Sequence, residues 1–354
     1  MSSIHPKVLL VCNSNIYKNY ISPNQVKRLE KFASWDWLSF DHTDIGAQLP
    51  KIFFEAIEDV EALIISHGSP LIGAEIMDSA NRLKFIGELE DDRFNNRIDL
   101  RAAWERNIRT VDTTNASSYP VAEWALALIL ISLRNAGAQF RRIVNGNTKV
   151  YHQALNYAGG VLNGKRVGLI GCGHMGRRLI QYLRPFETEI WVYDPYLPSE
   201  MAEAIGFTQT TLDNILSQCE VIVCLAPLTP KTKGMIGREE LNKIPSGCVL
   251  VNVSRGAVID SQALIERLKR GDIVAGLDVF DPEPIPPSSE IIHLENVFLS
   301  PHFGYFTGNQ FRESFVLMVD ELERFFDGHQ TYFDLTPKSF ANRHGNEPQN
   351  RKKL

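Results

Sequence analysis

The sequence predicts an α/β protein built from parallel sheets, and three observations carry that expectation. Short apolar runs of strand length alternate with helical patterns almost from the first residue. A second series of such runs, at residues 221–225, 248–253, 273–279 and 297–299, follows at the interval of a doubly wound sheet. That second series is headed by Arg166-Val-Gly-Leu-Ile-Gly-Cys-Gly-His-Met-Gly176, which reads as a buried strand, a glycine turn and the start of a helix. At 354 residues the chain has room for two domains, each with its own core.

The first series comprises strand-like runs at 8–11, 62–66, 83–87 and 108–111, with a helical pattern at 26–32. A polar loop, Asp112-Thr-Thr-Asn-Ala-Ser-Ser-Tyr-Pro120, then leads to a helix from Val121 to about Leu133. Pro120 suits its first turn, where a missing N–H costs nothing. That helix is apolar nearly all round, so it is expected to be buried between layers or between subunits. It contains Glu123 and, at this length, falls short of the roughly 20 residues that cross a bilayer. After a mixed segment, 134–164, come the glycine turn, a helix at 177–183 and a strand, Glu189-Ile-Trp-Val-Tyr193, that ends in Asp194. The proline-rich Asp281-Pro-Glu-Pro-Ile-Pro-Pro-Ser-Ser289 interrupts the alternation after one strand. An amphipathic helix at 311–326 is expected to return to the first domain, and the polar tail 337–354 to be disordered.

Composition narrows the partners. Lys and Arg number 37 against 42 Asp and Glu, a formal charge of −5, with no long basic stripe, which argues against nucleic acid and anionic membrane. Cys12, Cys172, Cys219, Cys224 and Cys248 stand singly in apolar runs without C-x-x-C spacing, so reduced core thiols, no metal site and a cytoplasmic location are expected. The N-terminus runs directly into a strand and does not read as a signal peptide.

The glycine turn is where chemistry begins. Gly171, Gly173 and Gly176 have the G-x-G-x-x-G spacing, in which the first permits a tight turn, the second lets backbone approach a pyrophosphate, and the third packs helix on strand. Amides at the new helix's N-terminus face the phosphates. Asp194 stands about 20 residues on, where a carboxylate accepts hydrogen bonds from an adenosine ribose. Three ionisable residues then follow successive strands: Arg255 in Asn252-Val-Ser-Arg-Gly256, Glu283 in Asp278-Val-Phe-Asp-Pro-Glu-Pro284, and His302 in Ser300-Pro-His-Phe-Gly304. Singly each reads as structural. Together they meet the needs of reducing a 2-oxo acid with a nicotinamide: a proton donor in His302, a planar cation in Arg255 for the carboxylate and carbonyl, and a carboxylate in Glu283 to orient the imidazole.

With these motifs and Leu225-Ala-Pro-Leu-Thr-Pro-Lys-Thr-Lys-Gly234, the chain resembles the NAD-dependent D-isomer-specific 2-hydroxyacid dehydrogenases, which include phosphoglycerate, glyoxylate and D-lactate dehydrogenases. The resemblance runs from about Leu83 to Thr307 and is strongest from Gly164 onward. It implies a Rossmann NAD domain, 119–305, inserted into a discontinuous flavodoxin-like substrate domain, 1–118 and 306–336, that closes on it before hydride transfer. It implies that Arg255 binds substrate, that Glu283 tunes His302, and that His302 is the acid or base. Asp278 would orient the nicotinamide carboxamide. The cofactor would also touch Gly171, Gly173, His174, Met175, Gly176, Asp194, Ala226, Pro227, Thr232, Val253, Ser254 and Gly304. A homodimer through the helix starting at Val121, and a small 2-hydroxy or 2-oxo acid as substrate, follow from the same resemblance.

Two departures bear on the substrate. Where the family carries a glycine-containing anion cradle, this chain reads Glu88-Leu-Glu-Asp-Asp-Arg-Phe-Asn-Asn96, and the usual asparagine-proline-glycine before the long helix is Asn115-Ala-Ser-Ser-Tyr119. The carboxylates of Glu88, Glu90, Asp91 and Asp92, if facing the substrate, would favour a polyhydroxylated 2-oxo acid, with Arg93 joining Arg255; otherwise they decorate a solvated loop. Related C-terminal-binding corepressors share the fold and the three catalytic residues, which gives a dinucleotide-sensing interaction protein as the alternative. Formate oxidation is a third reading, weakened because that branch has glutamine where Glu283 stands.

Overall fold

The computed structural model describes residues 5–40, 49, 51–89, 97–149, 160–308 and 310–344. The chain divides into two compact units, Met1–Ser117 with Thr307–Phe340, and Ser118–Phe306 with Ala341–Leu354.

In the first unit the elements run β1 (Lys7–Cys12), α1 (Ser14–Tyr20), α2 (Pro23–Leu29), β2 (Ser34–Ser39), α3 (Lys51–Ile57), β3 (Ala62–Ile65), α4 (Ala74–Ser79), β4 (Phe85–Glu88), α5 (Leu100–Glu105) and β5 (Arg109–Asp112). The sheet is wholly parallel, in the order β2-β1-β3-β4-β5. Its central strands, buried on both faces, are the continuous apolar runs of the sequence. Edge strand β2 has no such run: Trp35 and Trp37 alternate with Ser34 and Asp36, and sequence reading passed over it. Tyr17 stacks on Trp37 at 3.8 Å, and the Trp37 indole donates to the Cys12 carbonyl at 3.2 Å.

A later helix, Gln310–Phe326, belongs to this unit, with Phe315, Met318, Val319 and Leu322 buried against Val8, Leu10, Ile64 and Phe85. On it, fully buried Glu321 accepts the backbone N–H groups of Tyr332 at 2.7 Å and Phe333 at 3.1 Å, and burial pushes its carboxyl above the usual range.

Two expectations need correction here. The tail from Pro337 is not disordered throughout, because Pro337–His344 is a helix. Thr336 and Ser339 cap its start reciprocally, with Thr336 N to Ser339 Oγ at 2.8 Å and Ser339 N to Thr336 Oγ1 at 3.1 Å, and Phe340 meets Trp104 edge-on. Residues 345–354 lie outside those described. Glu88 is likewise no solvated loop acid. It ends β4 fully buried, paired with Arg97 Nη1 at 3.1 Å, and Arg97 also contacts His67 Nδ1 at 2.5 Å. Glu90, Asp91, Asp92 and Arg93 lie outside the described residues.

The second unit begins with α6 (Ser118–Leu133) and α7 (Ala136–Val144), then β6 (Arg166–Ile170), α8 (His174–Leu183), β7 (Glu189–Tyr193), α9 (Ser199–Ile205), β8 (Thr208–Gln209), α10 (Leu212–Gln218), β9 (Val221–Cys224), α11 (Arg238–Lys243), β10 (Val249–Asn252), α12 (Ser261–Lys269), β11 (Val274–Leu277) and β12 (Val297–Leu299). Its sheet, β12-β11-β10-β9-β6-β7-β8, is also parallel throughout, so every strand's carboxyl end lies on one edge.

Helix α6 starts three residues before Val121, with Pro120 still in the turn whose N–H groups lack helical acceptors. Joined to the preceding turn, Thr114–Leu133 spans 20 residues and, contrary to the shorter span expected, is long and apolar enough to cross a membrane by length and composition. Packing accounts for one side of the helix. Ala122, Ala125, Leu128, Ile129 and Leu133 form one core with Val167, Leu169, Val223 and Val251, and Gly276 of β11 leaves room for Leu128 and Ser132.

Candidate active site

The carboxyl edge of the second sheet carries the turn and the three ionisable residues. Gly171 has φ +93°, the left-handed region that glycine enters without penalty, and a Cβ there would meet the backbone of Ala226 and Leu225. Gly176 is close-packed too, since its Cβ would face the Gly171 carbonyl at 3.1 Å and Cys172 Sγ at 3.4 Å. Gly173 differs. Its φ of −72° suits any residue and nothing lies within 4 Å of where its Cβ would stand. The fold therefore does not require glycine at 173, whereas a pyrophosphate brought against that backbone does. Gly173 is the N-cap of the ten-residue helix α8, whose first residues are His174 and Met175. Arg177 donates to His174 Nδ1 at 3.1 Å, and Met175 packs against the core.

Asp194 sits at the end of β7 and accepts the Cys172 N–H at 2.9 Å and the Tyr196 N–H at 2.9 Å, one on each oxygen. It thus pins the glycine turn while each oxygen keeps a lone pair for a hydroxyl. Burial and nearby Asp194, against nearby Arg177, push the Cys172 thiol up to about 12, so it stays protonated. Ala226 is buried beside the turn; exposed Pro227 follows, and its carbonyl accepts the Thr232 hydroxyl at 2.5 Å, closing that loop on itself.

The next three strands each end in one of the ionisable residues' loops. After β10, buried Asn252 accepts Ser254 N at 3.1 Å and Ser254 Oγ at 3.0 Å, and donates to the Arg255 carbonyl at 3.2 Å. Val253 and Ser254 are buried while Arg255 is exposed, its Nη1 donating to the Ser254 carbonyl at 2.8 Å. A Cβ on Gly256 would coincide with the Phe280 backbone, so the Arg255 loop and the loop after β11 lie in contact. That second loop carries Glu283, whose Oε1 lies 2.5 Å from His302 Nδ1 in the loop after β12. The His302 and Glu283 side chains are 37% and 35% exposed, within reach of a small molecule. With Nδ1 held by Glu283, Nε2 is the nitrogen that can exchange a proton.

Asp278, 2% exposed, has both oxygens engaged. Ser300 Oγ donates to Oδ1 at 2.6 Å, Phe303 N to Oδ1 at 3.2 Å, and Gly304 N to Oδ2 at 3.0 Å. Asn252, Ser300 and Trp124, the last donating to Ser300 Oγ at 3.1 Å, were not singled out from the sequence. Their common signal was a polar group at the end of an apolar strand or on an apolar helix. Among the described residues no cluster of His, Cys, Asp and Glu suits a metal.

A strand-turn-helix with a glycine that the fold itself does not require, and a histidine oriented by a carboxylate on the same carboxyl edge of the sheet, suit a dinucleotide-dependent dehydrogenase. Comparison with known proteins narrows it. Residues 126–304 match the model of the D-isomer specific 2-hydroxyacid dehydrogenase NAD binding domain. The glyoxylate reductase of Thermococcus litoralis is 32% identical over 84% of this chain and 89% of its own length. The D-3-phosphoglycerate dehydrogenase of Methanocaldococcus jannaschii is 32% identical over 77% of this chain but only 51% of its own, so the chain spans about half the length of that relative. The mitochondrial formate dehydrogenase of Solanum tuberosum is matched at the same identity, over 77% of this chain and 71% of its own. In structure, a phosphoglycerate oxidoreductase from Rhizobium etli superposes with a TM-score of 0.81 over 94% of this chain and 98% of its own, at 22% identity, a likeness of fold. The chain belongs to the D-isomer-specific 2-hydroxyacid dehydrogenase family, and its cofactor is NAD.

Proposed function

We propose that the protein interconverts a D-2-hydroxy acid and its 2-oxo acid with NAD(H), and that His302 is the acid and base. The observation that carries this reading is the contact of Glu283 Oε1 with His302 Nδ1, which fixes one ring nitrogen and leaves Nε2 to move the proton. NADH held at the glycine turn of Gly171, Gly173 and Gly176 would supply the hydride for the carbonyl carbon. In reduction His302 Nε2 gives its proton to the carbonyl oxygen; in oxidation it takes one from the hydroxyl. Glu283 holds the ring through Nδ1. Arg255, on the adjoining loop, is the cation for the substrate carboxylate and carbonyl. Asp194 serves the adenosine ribose and disfavours a 2′-phosphate, giving preference for NADH over NADPH.

Glutamate rather than glutamine at 283 supports a hydroxy acid over formate. Exposed Phe140, Ile143 and Val144 on α7, with Leu130 on α6, support a homodimer through this face. Five buried free thiols support a reducing, cytoplasmic location. The test is NADH consumption with a panel of 2-oxo acids including glyoxylate, pyruvate and hydroxypyruvate, and NAD reduction with formate in parallel. Turnover of a 2-oxo acid supports the reading. Turnover of formate alone, or binding of NADH without any turnover, overturns it in favour of the formate or sensing alternatives.

A further inference from the structure

His302 has φ +52°, a left-handed conformation that is uncommon outside glycine and that the surrounding structure must hold. The donors that hold it come from both sides of the histidine. Before it, Ser300 N extends the sheet ladder to the Leu277 carbonyl at 2.9 Å, and the Ser300 hydroxyl donates to Asp278 Oδ1. After it, Phe303 N and Gly304 N close on the same carboxylate. One buried carboxylate thus ties down the residues that flank His302. With its single proton given to Asp278, the Ser300 oxygen can only accept from another donor. That donor is Trp124 Nε1 of helix α6, at 3.1 Å.

Trp124 reaches the loop beyond His302 as well. Its ring meets Phe303 edge-on with centroids 4.7 Å apart, and a Cβ on Gly304 would lie 3.0 Å from Trp124 Cδ1 and 2.9 Å from Asp278 Oδ2. The indole is only partly buried, and its N–H is directed to the serine that braces the carboxylate.

We propose that Trp124 is a positioning residue for proton transfer, acting through Ser300 and Asp278 to hold the His302 loop so that Nε2 presents to the substrate while Nδ1 stays on Glu283. This rests on the reading of His302 as acid and base. It gives α6 a task in the reaction besides covering the sheet.

The test compares the full-length wild type with Trp124→Phe, which keeps a ring and removes the N–H, with Ser300→Ala, with both together, and with the core variant Leu128→Ala as a stability control. Amide exchange over residues 300–306, read by mass spectrometry, needs no substrate. It accelerates about tenfold in Trp124→Phe and in Ser300→Ala. With NADH and the best 2-oxo acid of the panel, kcat for reduction falls about tenfold in each, NADH affinity stays within about twofold, and the fall of rate with rising pH begins at lower pH. The double variant is no worse than either single one, because one chain of contacts is broken once or twice. Leu128→Ala lowers Tm with its pH profile unmoved. Unchanged exchange in both single variants overturns the proposal, as does faster exchange with kcat and pH profile like the wild type, or losses that simply add. His302→Ala, measured alongside, separates the two claims. If it keeps wild-type turnover, the reading of His302 fails; if it is inactive while Trp124→Phe behaves as wild type, the positioning inference alone fails.

Discussion

Replacing Gly173 by alanine separates what the fold requires from what the cofactor requires. At φ −72° with nothing within 4 Å of the new methyl, the folded chain accepts alanine without strain. Alanine is a poorer N-cap than glycine, while reduced freedom of the unfolded chain recovers about 0.4–1 kcal/mol, so stability changes by no more than about 1 kcal/mol. The ligand meets a methyl group where backbone should be, and overpacking of that kind costs about 1–3 kcal/mol, or roughly 5- to 150-fold in affinity. Gly171→Ala inverts the pattern. Strain at φ +93° costs about 1–3 kcal/mol, and the methyl would lie 2.9 Å from Ala226 N and 3.0 Å from Leu225 C, adding about as much again, so this variant loses stability before it loses anything else. Melting curves and NADH titration by fluorescence read both effects. Wild-type NADH affinity in Gly173→Ala, or a melting point as low as that of Gly171→Ala, refutes the reasoning.

Three other outcomes are expected. In Asp194→Ala the ratio of NADH to NADPH efficiency narrows by at least about tenfold, about 1.4 kcal/mol, and both affinities weaken because the Cys172 and Tyr196 amides lose their acceptor; an unchanged ratio excludes Asp194 as the discriminator. Glu88→Gln removes the charge of a fully buried carboxylate that faces Arg97 Nη1 at 3.1 Å and destabilises the protein by about 3–5 kcal/mol, lowering Tm for whatever substrate is assayed; a changed substrate preference at wild-type Tm contradicts this. Glu321 is held above its ordinary value of 4.5 by burial, so its contribution is present in full below that pH and is lost as pH rises through the higher folded value. The Tm of the wild type relative to Glu321→Gln accordingly falls as pH rises above about 4.5, and a gap that widens with pH contradicts the assignment.

The two sheets were legible because their inner strands, buried on both faces, must be continuous apolar runs, as at Ala62–Ile65 and Val221–Cys224. Edge strand Ser34–Ser39 was not, since its apolar residues, Trp35, Trp37 and Leu38, are only half-buried and are set among Ser34, Asp36 and Ser39. The strand-turn-helix around Gly171 and the approach of Glu283 to His302 were legible because glycine spacing and ionisable residues after successive strands are few and local. Glu88 was misjudged because a run of acids reads as a surface loop, while the partner that permits its burial, Arg97, lies nine residues on. The helix Pro337–His344 was missed because its sequence, Pro-Lys-Ser-Phe-Ala-Asn-Arg-His, is mostly polar and offers only Phe340 and Ala341 as apolar anchors. Trp124 and Ser300 escaped notice for a different reason. They lie 176 residues apart, and only the folded chain joins an indole in an apolar helix to a serine at a strand end.

The central claim is that His302 moves the proton while NADH supplies the hydride, and steady-state reduction of the best 2-oxo acid by wild type and His302→Ala, with NADH affinity measured on both, tests it most directly. The account predicts a loss of about 10²- to 10⁴-fold in kcat with NADH affinity within about twofold of wild type. A His302→Ala enzyme that binds NADH normally and turns over within tenfold of wild type contradicts it.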